Sequence, residues 1–491
     1  MDPLLDYHRQ ITRRSLFGHM GSAIGRVALG SVALSQLLEV KASGKQVNPA
    51  KFISDNLPHF APKAKRVIYL FQSGGPSHID LFDHKPHMQK HHGQALPSEV
   101  LGNQRVTGMT SNQKQFIYTS GMWGFKRCGK QQTWISNQLP YLQKIADDIT
   151  IIRSMNTEAI NHDPAVTFIN TGSQQMGHAS LGSWLSYGLG SENEDLPAFM
   201  VLLSQGTGKN PGQPLFSRLW GSGYLPSNHQ GVSLRSSADP VLYLKNPKGV
   251  ERNQRRKMLD HLAKMNEMRA SEVGDQDIQA RIESYEMAYR MQTSVPELTD
   301  LKNETKKTFE LYGGESKRPG SFAANCLMAR RMVERGVRFV QLFHRGWDQH
   351  KNLSSKLPKQ CKDIDQSSAA LITDLKQRGL LDETLVIWGG EFGRTAYTQG
   401  GFELPGSGRD HHGRCFTMWM AGGGVKGGFD YGQTDDWGYN IAKDAVPIRD
   451  LNATILHTLG INHEQFTVKH RGLNQKLTGV EPARVVSEIL L

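Results

Sequence analysis

The chain has 491 residues, an apolar fraction of 38% and a formal net charge of +12. This length favours one large α/β domain with polar insertions over a string of small domains, and the mean hydropathy of -0.48 indicates that long polar loops decorate its core. The basic balance favours an anionic ligand, whereas the even spread of Lys and Arg and the lack of any recognisable nucleic-acid module exclude nucleic acid as a partner.

Residues 1–44 have the pattern of a twin-arginine (Tat) signal peptide. Arg13 and Arg14 are followed by a segment of small and apolar residues, 21–38, that Gly and Ser interrupt too often for a stable membrane span. An amphipathic N-terminal helix is the alternative, but the order of the arginine pair and the small-residue run favours a signal. We therefore expect the Tat machinery to export the protein to the periplasm or the medium, and residues 45–491 to form the domain.

Short apolar runs alternate with amphipathic segments along the domain, as in a doubly wound α/β fold. The predicted strands are 66–71, 149–153, 197–203, 337–343, 385–388 and 415–420, and the predicted helices are 321–335, 363–378 and 449–459. This alternation predicts a mostly parallel sheet with helices on both faces.

A charged stretch, about 251–311, has helical spacing and interrupts this alternation. Leu259, Leu262, Met265 and Met268 would share one face of a helix there, and we interpret this stripe as core packing rather than as a cofactor site. The stretch is predicted to be a helical insertion that covers the sheet.

The four cysteines, Cys128, Cys326, Cys361 and Cys415, lack the Cys-x-x-Cys spacing of a metal finger. Cys326 and Cys415 lie in apolar segments, where a buried free thiol is the simplest interpretation. No disulfide is predicted.

Another predicted helix follows the strand 149–153 and ends at Thr171 and Gly172. Pro164 would occupy its first position, just after His162 and Asp163. Backbone N–H groups at such a helix start are free to bind an anion, so a phosphate or sulfate group would fit there.

Acidic and imidazole side chains gather where the predicted strands end or begin. Asp348 and His350 follow the strand 337–343, and Glu391 follows 385–388. Asp410, His411 and His412 stand just before 415–420, while His78 and Asp80 follow the first strand. If these strands are parallel, the groups share one sheet edge and suit a divalent metal, Zn²⁺ or Mn²⁺ rather than Ca²⁺, because imidazoles are among the ligands. A hydrogen-bonded polar cluster without an ion is the alternative.

The motifs SGGPSHIDLFD, GWDQH, GEFGRT, GRDHHG and AGGGVKGG resemble the Tat-exported, sulfatase-like domain-of-unknown-function 1501 family. That family belongs to the alkaline phosphatase/sulfatase superfamily, and the resemblance covers nearly the whole mature chain. It implies a doubly wound sheet holding one or two divalent metals, with Asp348, His350 and His411 at one metal position and Glu391 at a second. In that superfamily a Ser, Thr or modified Cys at a helix N-terminus attacks a phosphate or sulfate ester.

The sequence departs from the superfamily pattern at the nucleophile, where His162 stands and Val166 replaces an arginine. Water or His162 would then attack, and Arg394 or His412 would stabilise the leaving oxygen or the developing charge.

Three hypotheses remain: a metal-dependent hydrolase of phosphate or sulfate esters, a noncatalytic protein that binds an anionic polysaccharide or a protein partner, and a metal-independent structural or secretory role. A sulfated or phosphorylated polysaccharide is the substrate class that fits the first hypothesis.

The double substitution Arg13→Lys with Arg14→Lys is expected to leave the protein in the cytoplasm, because the Tat receptor reads paired guanidinium groups. Cell fractionation with an antibody against the folded domain measures this. Normal export of the double variant would show that residues 1–44 are not a Tat signal.

Overall fold

The computed structural model describes residues 57–204, 206–207, 215–235, 240–241, 244–273, 276–400 and 406–491. The predicted signal peptide lies outside these residues. Within the described part of the chain, no helix is both long enough and apolar enough to cross a membrane.

Strands and helices alternate through the domain. The strands are β1 (Arg66–Ser73), β2 (Phe125–Cys128), β3 (Thr133–Ser136), β4 (Thr150–Asn156), β5 (Phe199–Ser204), β6 (Val232–Leu234), β7 (Phe339–Arg345), β8 (Thr384–Gly389), β9 (Gly393–Gln399), β10 (Gly408–His412), β11 (Phe416–Ala421), β12 (Phe429–Tyr431), β13 (Gln433–Thr434), β14 (Ile441–Lys443), β15 (Val446–Pro447), β16 (Val468–His470) and β17 (Leu473–Gln475). The helices are α1 (His78–Leu81), α2 (Met88–His91), α3 (Ser98–Leu101), α4 (His162–Thr171), α5 (Leu181–Leu189), α6 (Arg252–Val273), α7 (Gln276–Thr299), α8 (Lys306–Tyr312), α9 (Phe322–Glu334), α10 (Leu353–Gln377) and α11 (Ile448–Thr458).

A nine-stranded sheet forms the centre, in the order β12-β4-β11-β8-β1-β7-β5-β6, with β15 also paired to β4. The prediction of a mostly parallel sheet is confirmed, since β1, β5, β7 and β8 all run the same way. Strand β11 is the exception, because it runs antiparallel to both β8 and β4. The start of β11 therefore lies at the sheet edge where its neighbours β4 and β8 end.

The two faces of the sheet carry separate apolar layers, which confirms the doubly wound prediction. In β1, Ile68 and Leu70 pack in one layer with α9 and α10. Val67, Tyr69 and Phe71 pack in the other with α4, α5 and α11. Side chains of a strand alternate between its faces, so a strand that is apolar throughout needs helices on both sides.

The helical insertion is a hairpin of α6 and α7. Arg256 pairs with Glu286, and Arg252, one turn earlier, reaches Tyr289 and Thr293, so the two helices run antiparallel. Leu259 is buried as predicted, but Met265 and Met268 are 58% and 62% exposed, which corrects the expectation of a continuous packed stripe. The C-terminal part of α7 packs in the core, and Asn228 donates to Glu283 in the first half of that helix.

Two helix starts also differ from the prediction. Helix α10 begins at Leu353, ten residues before the predicted start, and its first turns bury Leu353 and Leu357 although Pro358 lies inside the helix. Helix α4 begins at His162, so Pro164 is its third residue rather than its first. The four cysteines are buried and free, which confirms the expectation for Cys326 and Cys415.

Gly172 ends helix α4 in the left-handed conformation, with φ of 72°. A Cβ there would lie 1.8 Å from the carbonyl oxygen of Leu477, so glycine lets the 477 loop close over the end of the helix that carries His162.

We expect Gly172→Ala to lower the free energy of unfolding by clearly more than the left-handed cost alone, which is about 1–2 kcal/mol, because the loop must also move. Denaturant unfolding measures this. Gly379→Ala is the matched control, since Gly379 has φ of 68° and a Cβ there would meet nothing within 4 Å. Equal losses for the two variants would show that the contact with Leu477 is unimportant.

Candidate metal centre

Four side chains converge at the edge of the sheet where the parallel strands end. They are His162 at the start of α4, Asp348 and His350 after β7, and His411 in β10, and one ligand atom from each lies within 4.8 Å of all the others. His411 is buried, whereas the other three side chains are 14% to 20% exposed. The cluster is therefore held on one side by the domain and open on the other.

The topology explains why His411 joins residues that follow parallel strands. We expected the strands around His411 to be parallel, and this is wrong: His411 lies in β10, which pairs with β9 in a separate two-stranded antiparallel sheet. The chain then enters β11, which runs antiparallel in the central sheet. Residues that precede β11 consequently reach the edge where β7 and β8 end.

Each histidine of the cluster has its Nδ1 engaged by an oxygen acceptor. His411 Nδ1 donates to the Ile160 carbonyl oxygen at 3.0 Å, and His162 Nδ1 donates to Glu391 Oε1 at 2.6 Å. His350 Nδ1 donates to Gln399 Oε1. With the proton held on Nδ1, the Nε2 of each ring presents a lone pair to the cluster.

In neutral rings that carry the proton on Nδ1, these lone pairs face each other. His350 Nε2 and His411 Nε2 are 2.9 Å apart. His162 Nε2 is buried and lacks a hydrogen-bond partner, although it lies 3.2 Å from Asp348 Oδ1, because the ring is not aligned for a hydrogen bond. Facing lone pairs repel unless a cation lies among them, so this donor set fits a metal ion.

Asp348 supplies the carboxylate at the centre of the cluster. Its Oδ1 lies 2.7 Å from His350 Nε2 and 3.5 Å from His411 Nε2. Arg394 donates to the same oxygen at 2.7 Å. Three imidazoles and one carboxylate form a set that suits Zn²⁺ and related ions better than Ca²⁺.

Glu391 orients His162 from behind rather than pointing at the cluster. Its buried carboxylate accepts the Gly74 N–H at 2.9 and 3.1 Å, in addition to His162 Nδ1. Gly74 has φ of 116°, and a Cβ there would lie 2.5 Å from the Asp348 backbone nitrogen. A carboxylate behind a ligating histidine fixes its tautomer and raises its basicity, which makes this Glu–His pair a typical support for a metal ligand.

The cluster shifts the protonation of its members in opposite directions. Burial lowers the pKa of His411 to about 4, despite the nearby Asp348. Burial also acts to lower the pKa of His162, but Asp348 and Glu391 outweigh it and raise that pKa. Burial acts to raise the pKa of Asp348, yet His162, His350, His411 and Arg394 hold it well below its usual value. The carboxylate of Asp348 therefore stays ionised.

Arg394 is buried and fully engaged by the protein. Besides Asp348, its guanidinium donates to the carbonyl oxygens of Gly75 at 2.9 Å and Arg409 at 3.1 Å, and to that of Gly74. These bonds hold the loop after β1 against the loop that carries Asp348. The predicted role of Arg394 at a leaving oxygen stays a prediction, and its contacts indicate that it positions Asp348.

His412 and Asp410 flank His411 but point away from the cluster. His412 Nε2 lies 2.6 Å from the Tyr439 carbonyl oxygen, and burial lowers the pKa of His412 to about 3. Asp410 accepts the hydroxyls of Thr107 and Thr110 at 2.5 and 2.6 Å, and its nearest approach to His350 Nδ1 is 4.0 Å. Both lie outside the group of convergent ligand atoms.

His78 and Asp80 likewise lie elsewhere, in the short helix α1. Asp80 accepts from Ser77 at 2.5 Å and from Arg409 at 2.8 Å. His78 Nε2 lies 3.0 Å from the Gly438 carbonyl oxygen, and burial lowers the pKa of His78. These contacts support the loop after β1 from the side away from the cluster.

Two supporting groups were not anticipated from the sequence, the side chain of Gln399 and the carbonyl of Ile160. Gln399 ends strand β9, whose partner β10 carries His411. No sequence pattern identifies either group. Only the tertiary structure brings an amide or a backbone carbonyl within hydrogen-bond distance of a ligating histidine.

The chain is similar in sequence to one family of proteins. A family model described as "Protein of unknown function (DUF1501)" matches residues 64–490. A search of curated proteins finds no match.

Solved structures with detectable similarity include a sulfatase, PsFucS1 from Pseudoalteromonas sp., at 11% identity and a TM-score of 0.33, covering 85% of this chain and 71% of that one. The alkaline phosphatase of the Antarctic bacterium TAB5 is 10% identical with a TM-score of 0.30, covering 82% and 98% of the two chains. An alkaline phosphatase superfamily protein from Vibrio parahaemolyticus is 9% identical with a TM-score of 0.35, covering 83% and 69%. At TM-scores this low, these likenesses decide nothing about the metal or the substrate.

His411→Ala is expected to reduce the bound metal at least about tenfold, because it removes one imidazole from a small ligand set. Elemental analysis of protein purified without chelator measures this. His412→Ala is the matched control and should retain its metal, with circular dichroism to confirm that both variants fold. Equal metal loss in two folded variants would contradict the assignment of His411 rather than its neighbour.

Proposed function

This chain belongs to the DUF1501 family, and we propose that it is a metal-dependent hydrolase of phosphate or sulfate esters with His162, Asp348, His350 and His411 as ligands of one Zn²⁺ or Mn²⁺ ion. The observation that carries the proposal is the convergence of three imidazole Nε2 atoms on Asp348 Oδ1, each ring being fixed at its Nδ1.

The chemistry of such an ion suits an ester substrate. A bound divalent ion polarises an ester oxygen and lowers the pKa of water, so that water can attack at neutral pH. The protein orients the ligands through Glu391, Gln399 and the Ile160 carbonyl, and Arg394 fixes the carboxylate of Asp348. In the reaction, a water oxygen bonds to phosphorus or sulfur, the ester bond to the alcohol oxygen breaks, and the alcohol leaves with a proton.

The charge of the centre favours an anionic substrate. Asp348 and Glu391 carry two negative charges, and Arg394 carries one positive charge within hydrogen-bond distance of Asp348. With a dication bound, the centre keeps an excess of one positive charge in a partly buried site. Such a site attracts phosphate or sulfate esters, and sulfated or phosphorylated polysaccharides are our proposed natural class.

In this mechanism His162 binds the metal ion and does not act as the nucleophile. Its Nδ1 is hydrogen-bonded to Glu391, and its Nε2 lies 3.2 Å from the same carboxylate oxygen that the other two imidazoles approach. Export through the Tat pathway fits this role, because Tat substrates fold in the cytoplasm and can load a metal before they cross. We therefore propose a periplasmic or secreted location.

Protein purified without chelator is expected to contain about one equivalent of Zn²⁺ or Mn²⁺ and to hydrolyse an aryl phosphate or an aryl sulfate, with activity lost on chelation and restored by the metal. Elemental analysis and a chromogenic assay measure the two properties. Less than about a tenth of an equivalent of any transition metal would contradict the proposal. Metal without turnover of either ester would instead favour the noncatalytic hypothesis.

His162→Ala is expected to lower metal content and turnover together, because it removes a ligand. If His162 were the nucleophile, the same variant would keep its metal and lose only turnover, and a phosphohistidine adduct would form in the parent protein. Paired metal and activity measurements on one preparation separate these outcomes.

A further inference from the structure

A second pair of imidazoles lies apart from the metal centre, in the sequence segment HKPHMQKHH, residues 84–92. His87 and His91 are four residues apart on the helical turn that contains α2, and their ring centroids are 4.3 Å apart. Residues at this spacing project from the same face of a helix, and a pair of histidines so placed can bind one metal ion.

This turn is fixed in place, although it lies at the surface. Met88, between the two histidines, is buried and packs with Ile79 and Tyr118. The chain that follows is tied to a neighbouring segment, since Gly93 N–H donates to the Tyr118 carbonyl oxygen at 2.9 Å. The two rings therefore do not depend on a freely moving segment for their approach.

An indole ring packs against both imidazoles. The centroid of Trp437 lies 5.2 Å from that of His87 and 5.0 Å from that of His91. Trp437 in turn packs edge to face on Tyr118 at 4.9 Å. This contact restricts the rotamers of both histidines and also places a fluorophore next to them.

The hydrogen bonding of His91 leaves one of its nitrogens available for a ligand. His91 Nδ1 lies 2.9 Å from Gln94 Oε1, an acceptor, so Nδ1 carries the proton and Nε2 presents its lone pair. His92, the next residue, differs in this respect, because its Nδ1 accepts the Ser120 backbone N–H at 3.2 Å. The Nε2 of a neutral His92 therefore carries the proton.

We infer that His87 and His91 form a second, surface site for a transition-metal cation of the kind that imidazole prefers, and that among divalent first-row ions Cu²⁺ binds it most tightly. Two imidazoles hold the ion and water completes its coordination. The site is weaker than a buried four-ligand centre because it offers two protein ligands. This inference is independent of the proposed hydrolase function.

Titration of the Zn²⁺-loaded protein with Cu²⁺, followed by tryptophan fluorescence and by calorimetry, tests the site. Bound Cu²⁺ is expected to quench Trp437, and Trp437→Phe should lose most of this quenching while calorimetry still detects binding. His87→Ala and His91→Ala should each weaken binding at least about tenfold, since each leaves a single imidazole. Elemental analysis should show the Zn²⁺ content of both variants unchanged.

Two controls make the result specific. His92→Ala should bind Cu²⁺ like the parent protein, and the same quenching should persist in His411→Ala, which lacks a ligand of the buried centre. Quenching that survives in His87→Ala, or that falls equally in His92→Ala, would overturn the site. Quenching that disappears in His411→Ala would also overturn it, because the quenching Cu²⁺ would then be bound at the buried centre.

Discussion

The hydrogen bonds made by the buried carboxylate of Glu391 are the interaction on which the centre depends. This one group binds the Gly74 N–H after β1 and the His162 ring at the start of α4. It thereby joins the ends of two neighbouring strands to the helix that supplies a ligand. A carboxylate buried without such donors would carry a large desolvation cost, so the same contacts that orient the ligand also make the buried charge tolerable.

Arg394 plays the complementary part on the other side of the cluster. Its guanidinium binds Asp348 and several carbonyl oxygens of the two loops that meet there. An arginine can do this because its planar fork offers five donors with fixed directions. Glu391 and Arg394 come from the same short segment after β8. Through Glu391 this segment holds the imidazole of His162 in place, and through Arg394 it holds the carboxylate of Asp348.

The sheet edge and several of its residues could be predicted from the sequence. Apolar runs identified six of the nine strands of the central sheet, but not the short strands β6, β12 and β15. The acidic and imidazole residues Asp348, His350 and His411 are brought together at its edge. The sequence alone could not separate His411 from His412. Consecutive side chains of a strand point in opposite directions, so in β10 one imidazole faces the cluster and the next packs on Tyr439. Nothing in the local pattern says which face is which.

The sequence by itself therefore determined the fold class, most strands of the central sheet and the set of residues from which ligands could be drawn. These follow from periodicity, because burial on both sheet faces requires apolar strands with helices between them. Only the tertiary structure decided the role of each polar residue. His162 is paired with a glutamate that lies 229 positions away in the chain, and the free nitrogen of each imidazole is set by an acceptor on another element. Such choices depend on distances between remote segments, which periodicity does not encode.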